Sequence, residues 1–210
     1  MKKVSLFILA FLLFVVSGCA QKKLSREEQL AIQERNSAAA VQIYEGYTID
    51  ELAKAAEKVL YLIDPSDMQI THQKTRIVAS RYYTMFLVFN AVHGYDTWVV
   101  YFDKNEAAIK VTIMAHTAQN MGMFATLPSP RLPDEITLET SVLSEAECKL
   151  FFERLDYFLG KNLNWHSCEN TKEWATEQNL QIVEGCGLPF VCGHNWFGIE
   201  DKTPDYLEKK

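Results

Sequence analysis

Residues 76–116, RIVASRYYTMFLVFNAVHGYDTWVVYFDKNEAAIKVTIMAH, decide the fold. Val, Ile, Thr, Tyr, Phe and Trp dominate, and the apolar period is two rather than three to four, the mark of strands. Arg76 to Val92 is expected to be one long strand, or two strands joined by a bend. His93-Gly94-Tyr95-Asp96 is expected to turn. Thr97 to Phe102 then makes a nearly all-apolar strand, and Asp103-Lys104-Asn105-Glu106 a second turn. In Ala107 to His116, Ile109, Val111 and Ile113 alternate with Lys110, Thr112 and Met114, giving one buried face and one partly wet one. Turns this short join antiparallel neighbours, because parallel strands need a long crossover.

Upstream, Met68 to Lys74 reads as a further short strand, so the meander has three to four strands. Before it, Thr48-Ile49-Asp50-Glu51 is a capping box, and Ile49, Leu52, Ala53, Ala56, Leu60 and Ile63 recur at spacings of three and four. Asp64-Pro65-Ser66-Asp67 ends that helix. Another capping box, Ser25-Arg26-Glu27-Glu28, starts a polar, Ala-rich helix expected to reach about Tyr44. A third, Ser144-Glu145-Ala146-Glu147, opens a helix with Cys148, Phe151, Phe152, Leu155, Phe158 and Leu159 on one side and Gly160 as its C′ residue. The expected class is α+β: an antiparallel meander packed by amphipathic helices, followed by a disulfide-bearing C-terminal segment.

Residues 117–133 read as an irregular linker, with Met121, Met123, Phe124 and Leu127 unusually apolar for a loop. Such side chains cap a core or offer an adaptable contact surface, so Met121, Met123 and Phe124 are the candidate partner or ligand surface. Asn170 is placed as the cap of a short helix around Trp174, 181–197 as a hairpin, and the tail from Asp201 as polar. Residues 25–200 form one domain, with 134–200 a possible subdomain.

The amino terminus has a different character. Lys2 and Lys3 precede an apolar run from Val4 to Val16 broken only by Ser5, too short for the ~20 residues of a spanning helix. It ends in Val16-Ser17-Gly18-Cys19. Charge, length, small residues and Cys together make residues 1–19 resemble the leaders of bacterial lipoproteins. That resemblance implies cleavage after Gly18, acyl chains on Cys19, a lipidated tether over 19–24, and residence of the body in the periplasm. With Ala20 rather than Asp after the Cys, it also implies sorting to the outer membrane. Without Lys2 and Lys3, the other 19 of the 21 basic residues face 27 acidic ones, a charge of −8. Anionic lipid repels such a body, so the acyl chains must supply the attachment. The acidic balance also excludes an extended nucleic-acid surface.

Four more cysteines follow: Cys148, Cys168, Cys186 and Cys192. In an exported chain they read first as two disulfides, with Cys186–Cys192 and Cys148–Cys168 the preferred pairs. A metal site built from Cys186, Cys192 and His194, with His166 and Cys168 nearby, is the rival, but the spacing is not that of common zinc knuckles. Cys148 lies on an apolar stripe, so a buried free thiol is a further alternative. No metal or other cofactor is expected.

Nucleophile elbows, phosphate-cradling loops, dinucleotide fingerprints, His-Glu-x-x-His and Cys-x-x-Cys are all missing from the sequence. His93 beside Asp96, His116, and the pair Asp64 and Asp67 are the remaining polar candidates; turn geometry, a solvated strand end and helix termination, respectively, explain them more simply than chemistry. Tyr82, Tyr83, Phe86, Phe89, Trp98, Tyr101 and Phe102 read as sheet packing before ligand pocket. The expectation is therefore a lipid-anchored, non-catalytic body that binds or positions an envelope component, with a protein as partner. An envelope-acting enzyme and a binder of small apolar ligands are the alternatives.

Overall fold

The computed structural model describes residues 24–87, 90–121, 128, 132–168, 171–180, 189–192 and 203–208. Its centre is a five-stranded, wholly antiparallel sheet: β1 (Val41–Glu45), β2 (Gln69–Gln73), β3 (Arg76–Leu87), β4 (Asn90–Asn105) and β5 (Ala108–Met121), in the order β1-β5-β4-β3-β2. The α+β class holds, with one strand more than the three to four expected. The extra strand is β1. The first helix, α1 (Arg26–Ala39), stops five residues short of Tyr44, and Val41-Gln42-Ile43-Tyr44-Glu45 pairs with β5 instead, Tyr44 opposite Ile109. As a strand, a run with β-branched Val41 and Ile43 and aromatic Tyr44 gains a ladder and a buried ring, and Tyr44 is 1% exposed.

One face of the sheet is covered by α2 (Ile49–Ile63) and α3 (Glu145–Phe158). Both begin at the capping boxes expected, with Thr48 and Ser144 accepting from the backbone N–H of Glu51 and Glu147. α2 buries Leu52, Ala55, Ala56, Val59, Leu60, Leu62 and Ile63. All of these but Leu62 meet Ile77, Ala79, Trp98, Val100, Phe102, Ile109, Val111 and Ile113 of the sheet and Leu150, Phe151 and Leu155 of α3 in one core. Truncating a wholly buried leucine such as Leu60 there costs about 2–5 kcal/mol. Gly160, at φ +73°, takes the left-handed C′ position after α3.

The opposite face is half covered. A 3-10 turn at Pro133–Glu135 leads a segment whose Ile136 packs on Val99 and Met114, with Val78, Tyr101 and Leu138 around them. The chain then wraps the edge of β5, where Val142 N–H donates to the Ala115 carbonyl, and enters α3 on the first face.

Four expectations about loops are corrected. Asp103, Lys104 and Asn105 are not a turn but the end of β4, paired with Lys110, Ile109 and Ala108, and only 106–107 turn. His93-Gly94-Tyr95-Asp96 is not a turn but the middle of β4, and the reversal from β3 falls between Leu87 and Asn90. Thr117 to Met121 belong to β5 and are not part of an irregular linker. Within 181–197, Pro189–Cys192 is a turn of helix, α5, rather than a hairpin arm; it follows α4 (Thr171–Glu177). Asp205–Glu208 forms a last helical turn, α6. The cysteine pairing also differs. Cys168 bonds Cys192, with Cα atoms 5.7 Å apart, while Cys148 is a buried free thiol in the core. Neither preferred pair forms: Cys148 is buried in the apolar layer beneath α3, and Cys192 is taken by Cys168. The bridge spans 24 residues and by loop closure contributes roughly 3 kcal/mol. Cys19, Cys186, Met123, Phe124, Asn170 and His194 lie outside the described residues.

Candidate functional site

One end of the sheet is formed by Arg81 to Thr84 on β3, His93 to Asp96 on β4 and His116 to Asn120 on β5. Side chains alternate across it. Three residues along a strand reverse the face, so His93 and Asp96 point to opposite sides and cannot act as a pair.

On the helix side, Arg81 and Asp96 are 3% and 0% exposed. They are cross-strand partners, and Arg81 Nε and Nη2 donate to Oδ2 of Asp96 at 3.1 and 2.9 Å. Asp64, at the end of α2, places a carboxylate oxygen 3.7 Å from Arg81 Nη1 while its other oxygen accepts from Ser66 and Asp67 N–H. The Asp64 and Asp67 motif thus terminates the helix and helps balance a buried cation. The Arg81 guanidinium also stacks 5.3 Å from the Trp98 ring centroid. One register step further out, Tyr83 faces Gly94 and lays its ring across it; a Cβ at Gly94 would stand 2.3 Å from Tyr83 Cζ. The Tyr83 hydroxyl reaches β5, 3.3 Å from Thr117 Oγ1 and from Gln119 Oε1. Burial, with Asp96 nearby, raises the Tyr83 phenol above its ordinary range.

On the opposite side, Tyr82, Thr84, His93 and Tyr95 form a partly exposed cluster. Tyr82 Oη and Thr84 Oγ1 lie 2.8 and 3.1 Å from His93 Nδ1, and Thr84 donates to Tyr82 Oη at 2.8 Å. The Tyr82 and His93 rings are nearly parallel, and Tyr95 lies 5.2 Å from Tyr82, centroid to centroid. The cluster presents parallel rings flanked by neutral donors and acceptors. Sequence spacing did not reveal it, because its members come from two strands whose register was unknown. The candidate surface residue Met121 ends β5 opposite Val92, one register step beyond the His93–Asn120 pair. His116 stands opposite Thr97, half-buried on the same face.

A second polar centre ties down the C-terminal segment. Arg154 of α3, 1% exposed, donates to the His166 carbonyl from Nε and Nη2 at 3.1 and 2.9 Å and to the Val191 carbonyl from Nη1 at 3.1 Å. Nη2 is also 3.1 Å from Cys168 Sγ. His166 Nε2 lies 3.8 Å from Glu153. Among the described residues no group of three or more His, Cys, Asp and Glu side chains stands close enough to hold a metal ion, and no helix is long and apolar enough to cross a membrane.

The class these features define is an α+β domain: a five-stranded antiparallel sheet with helices on one face and a disulfide-tied C-terminal segment. Comparison of the chain with protein-family models, with curated proteins and with solved structures gives no match in any of the three.

Proposed function

We propose that this chain is a lipid-anchored protein of the bacterial cell envelope whose α+β body binds or positions another envelope component without catalysing a reaction, in the outer membrane and facing the periplasm. The observation that carries this is the Val16-Ser17-Gly18-Cys19 motif behind a basic and apolar leader, a few residues from the capped start of α1 at Ser25. Two or more acyl chains, at about 0.8 kcal/mol per buried CH2, hold a protein on a bilayer where one chain does not. The disulfide is in keeping with export to an oxidising compartment. Tyr82, His93 and Tyr95, with the segment leaving Met121, supply the contact surface in this proposal.

Intact mass of the native protein tests the anchor: an acylated Cys19 at the amino terminus is expected, and Cys19→Ala should release the body from membranes. An unacylated terminus overturns the anchor. Crosslinking in whole envelopes tests the binding role: a reproducible protein partner is expected, weakened by Tyr82→Ala. Recovery of lipid alone overturns it. The hydrogen bonds on His93 Nδ1 favour one second proposal, an envelope-acting enzyme using His93; activity lost in His93→Ala with unchanged thermal stability would favour it over the first.

A further inference from the structure

The two sulfurs of the Cys168–Cys192 bridge have unequal surroundings. Cys168 Sγ receives the Nη2 of Arg154 at 3.1 Å. That guanidinium is buried, held by the His166 and Val191 carbonyls, and stacked 4.6 Å from the Trp165 ring centroid. Among the described residues, the polar neighbour of Cys192 Sγ is a neutral hydroxyl, Thr171 Oγ1, 3.9 Å away. Both cysteines are half-buried rather than fully enclosed. A disulfide sulfur is a weak acceptor and needs no fixed cation beside it. A thiolate is different: a guanidinium makes the thiol it faces more acidic, and in thiol–disulfide exchange the more acidic thiol is the better leaving group.

We propose that Cys168–Cys192 is an exchange site for low-molecular-weight thiols, attacked at Cys192 and released at Cys168. The incoming thiolate adds its electron pair to Cys192 Sγ and forms a mixed disulfide there. The Cys168–Cys192 bond breaks, and its electron pair leaves on Cys168 Sγ as a thiolate paired with Arg154. One disulfide replaces another, and no external oxidant or reductant takes part. Arg154, already placed before the bond breaks, is the positioning residue of this step. The site does not depend on the lipid anchor.

The test uses the intact protein under native conditions with reduced glutathione as the probe, quenched with acid and mapped by peptide mass spectrometry. The same mapping on Cys186→Ser ensures that an internal thiol is not the attacking group. Glutathione on Cys192 with a free thiol at Cys168 is the expected result. Glutathione on Cys168, or no adduct until denaturant is added, overturns the proposal. Arg154→Met should slow adduct formation on the order of tenfold; an unchanged rate in a folded Arg154→Met protein overturns the role of Arg154. If that variant fails to fold, the site of the adduct in the wild-type chain decides alone.

Discussion

Arg81 and Asp96 offer the sharpest quantitative test of the fold. Both are essentially removed from water, and two nitrogens of the guanidinium meet one carboxylate oxygen at 3.1 and 2.9 Å. Asp96→Asn keeps the shape and removes the charge, leaving Asp64, 3.7 Å from Nη1 and itself a fifth exposed, as a charged neighbour of Arg81. Removing one member of a buried ion pair costs about 3–5 kcal/mol, because the desolvation of the remaining charge is no longer offset. The Asp64 carboxylate should hold Asp96→Asn near the lower end. Arg81→Met leaves Asp96 buried without its guanidinium and should fall near the upper end. The double variant should lose less than the two single losses added together, with a coupling of about 2–3 kcal/mol. Urea unfolding at neutral pH and low salt measures all four proteins; for a chain of this size a loss of about 3 kcal/mol lowers Tm by roughly 6–12 °C. A loss below about 1 kcal/mol in Asp96→Asn, or additive single losses, would refute the claim that this pair is desolvated and coupled.

Gly94→Ala should displace the Tyr83 ring, since the new methyl would stand 2.3 Å from Cζ, and cost about 1–3 kcal/mol; Tyr83→Ala combined with it should remove that penalty. Alkali should unfold the protein. Burial raises the Cys148 thiol above its ordinary 9.0 and the Tyr44 phenol above its ordinary 10.0, the latter also through Asp156. The folded state therefore keeps protons that the unfolded chain releases. The stability these groups contribute is complete below pH 9 and falls above about pH 9–10, by about 1.4 kcal/mol per pH unit for each group, as urea titrations across that range would show. Cys148→Ala should remove the earlier part of that fall. At the other extreme, hydrogen bonds from the Thr48 N–H and hydroxyl lower the Glu51 carboxyl below its ordinary 4.5. Its stabilisation is complete above that value and disappears as pH falls through the lower folded one, so Glu51→Gln should flatten the acid side of the stability profile. Thr48→Ala should cost about 1 kcal/mol at neutral pH.

The residues of the candidate surface illustrate how far a linear reading reaches. Alternation in β5 and the period of α2 are local properties, and both elements form where those patterns lie. His93-Gly94-Tyr95-Asp96 has the composition of a turn, yet it is a strand, because Gly94 is required by the ring of Tyr83 and Asp96 by the charge of Arg81. Both partners come from another strand. Residues that serve a cross-strand contact look locally like turn formers, and composition cannot separate the two uses. The cysteines behave similarly: spacing suggested a small loop and a helix tether, whereas the fold brings Cys168 to Cys192 around Arg154.

Taken alone, the order of the residues determined the three capped helix starts, the antiparallel class and the acidic charge, the first two of which depend on neighbours a few positions apart. Only the tertiary structure decided that Val41–Glu45 joins the sheet, that Arg81 neutralises Asp96, that His93 belongs with Tyr82 and Thr84, and which thiols combine. Each of these is a contact between distant segments whose energy depends on register and burial, quantities that exist only once the chain has closed on itself.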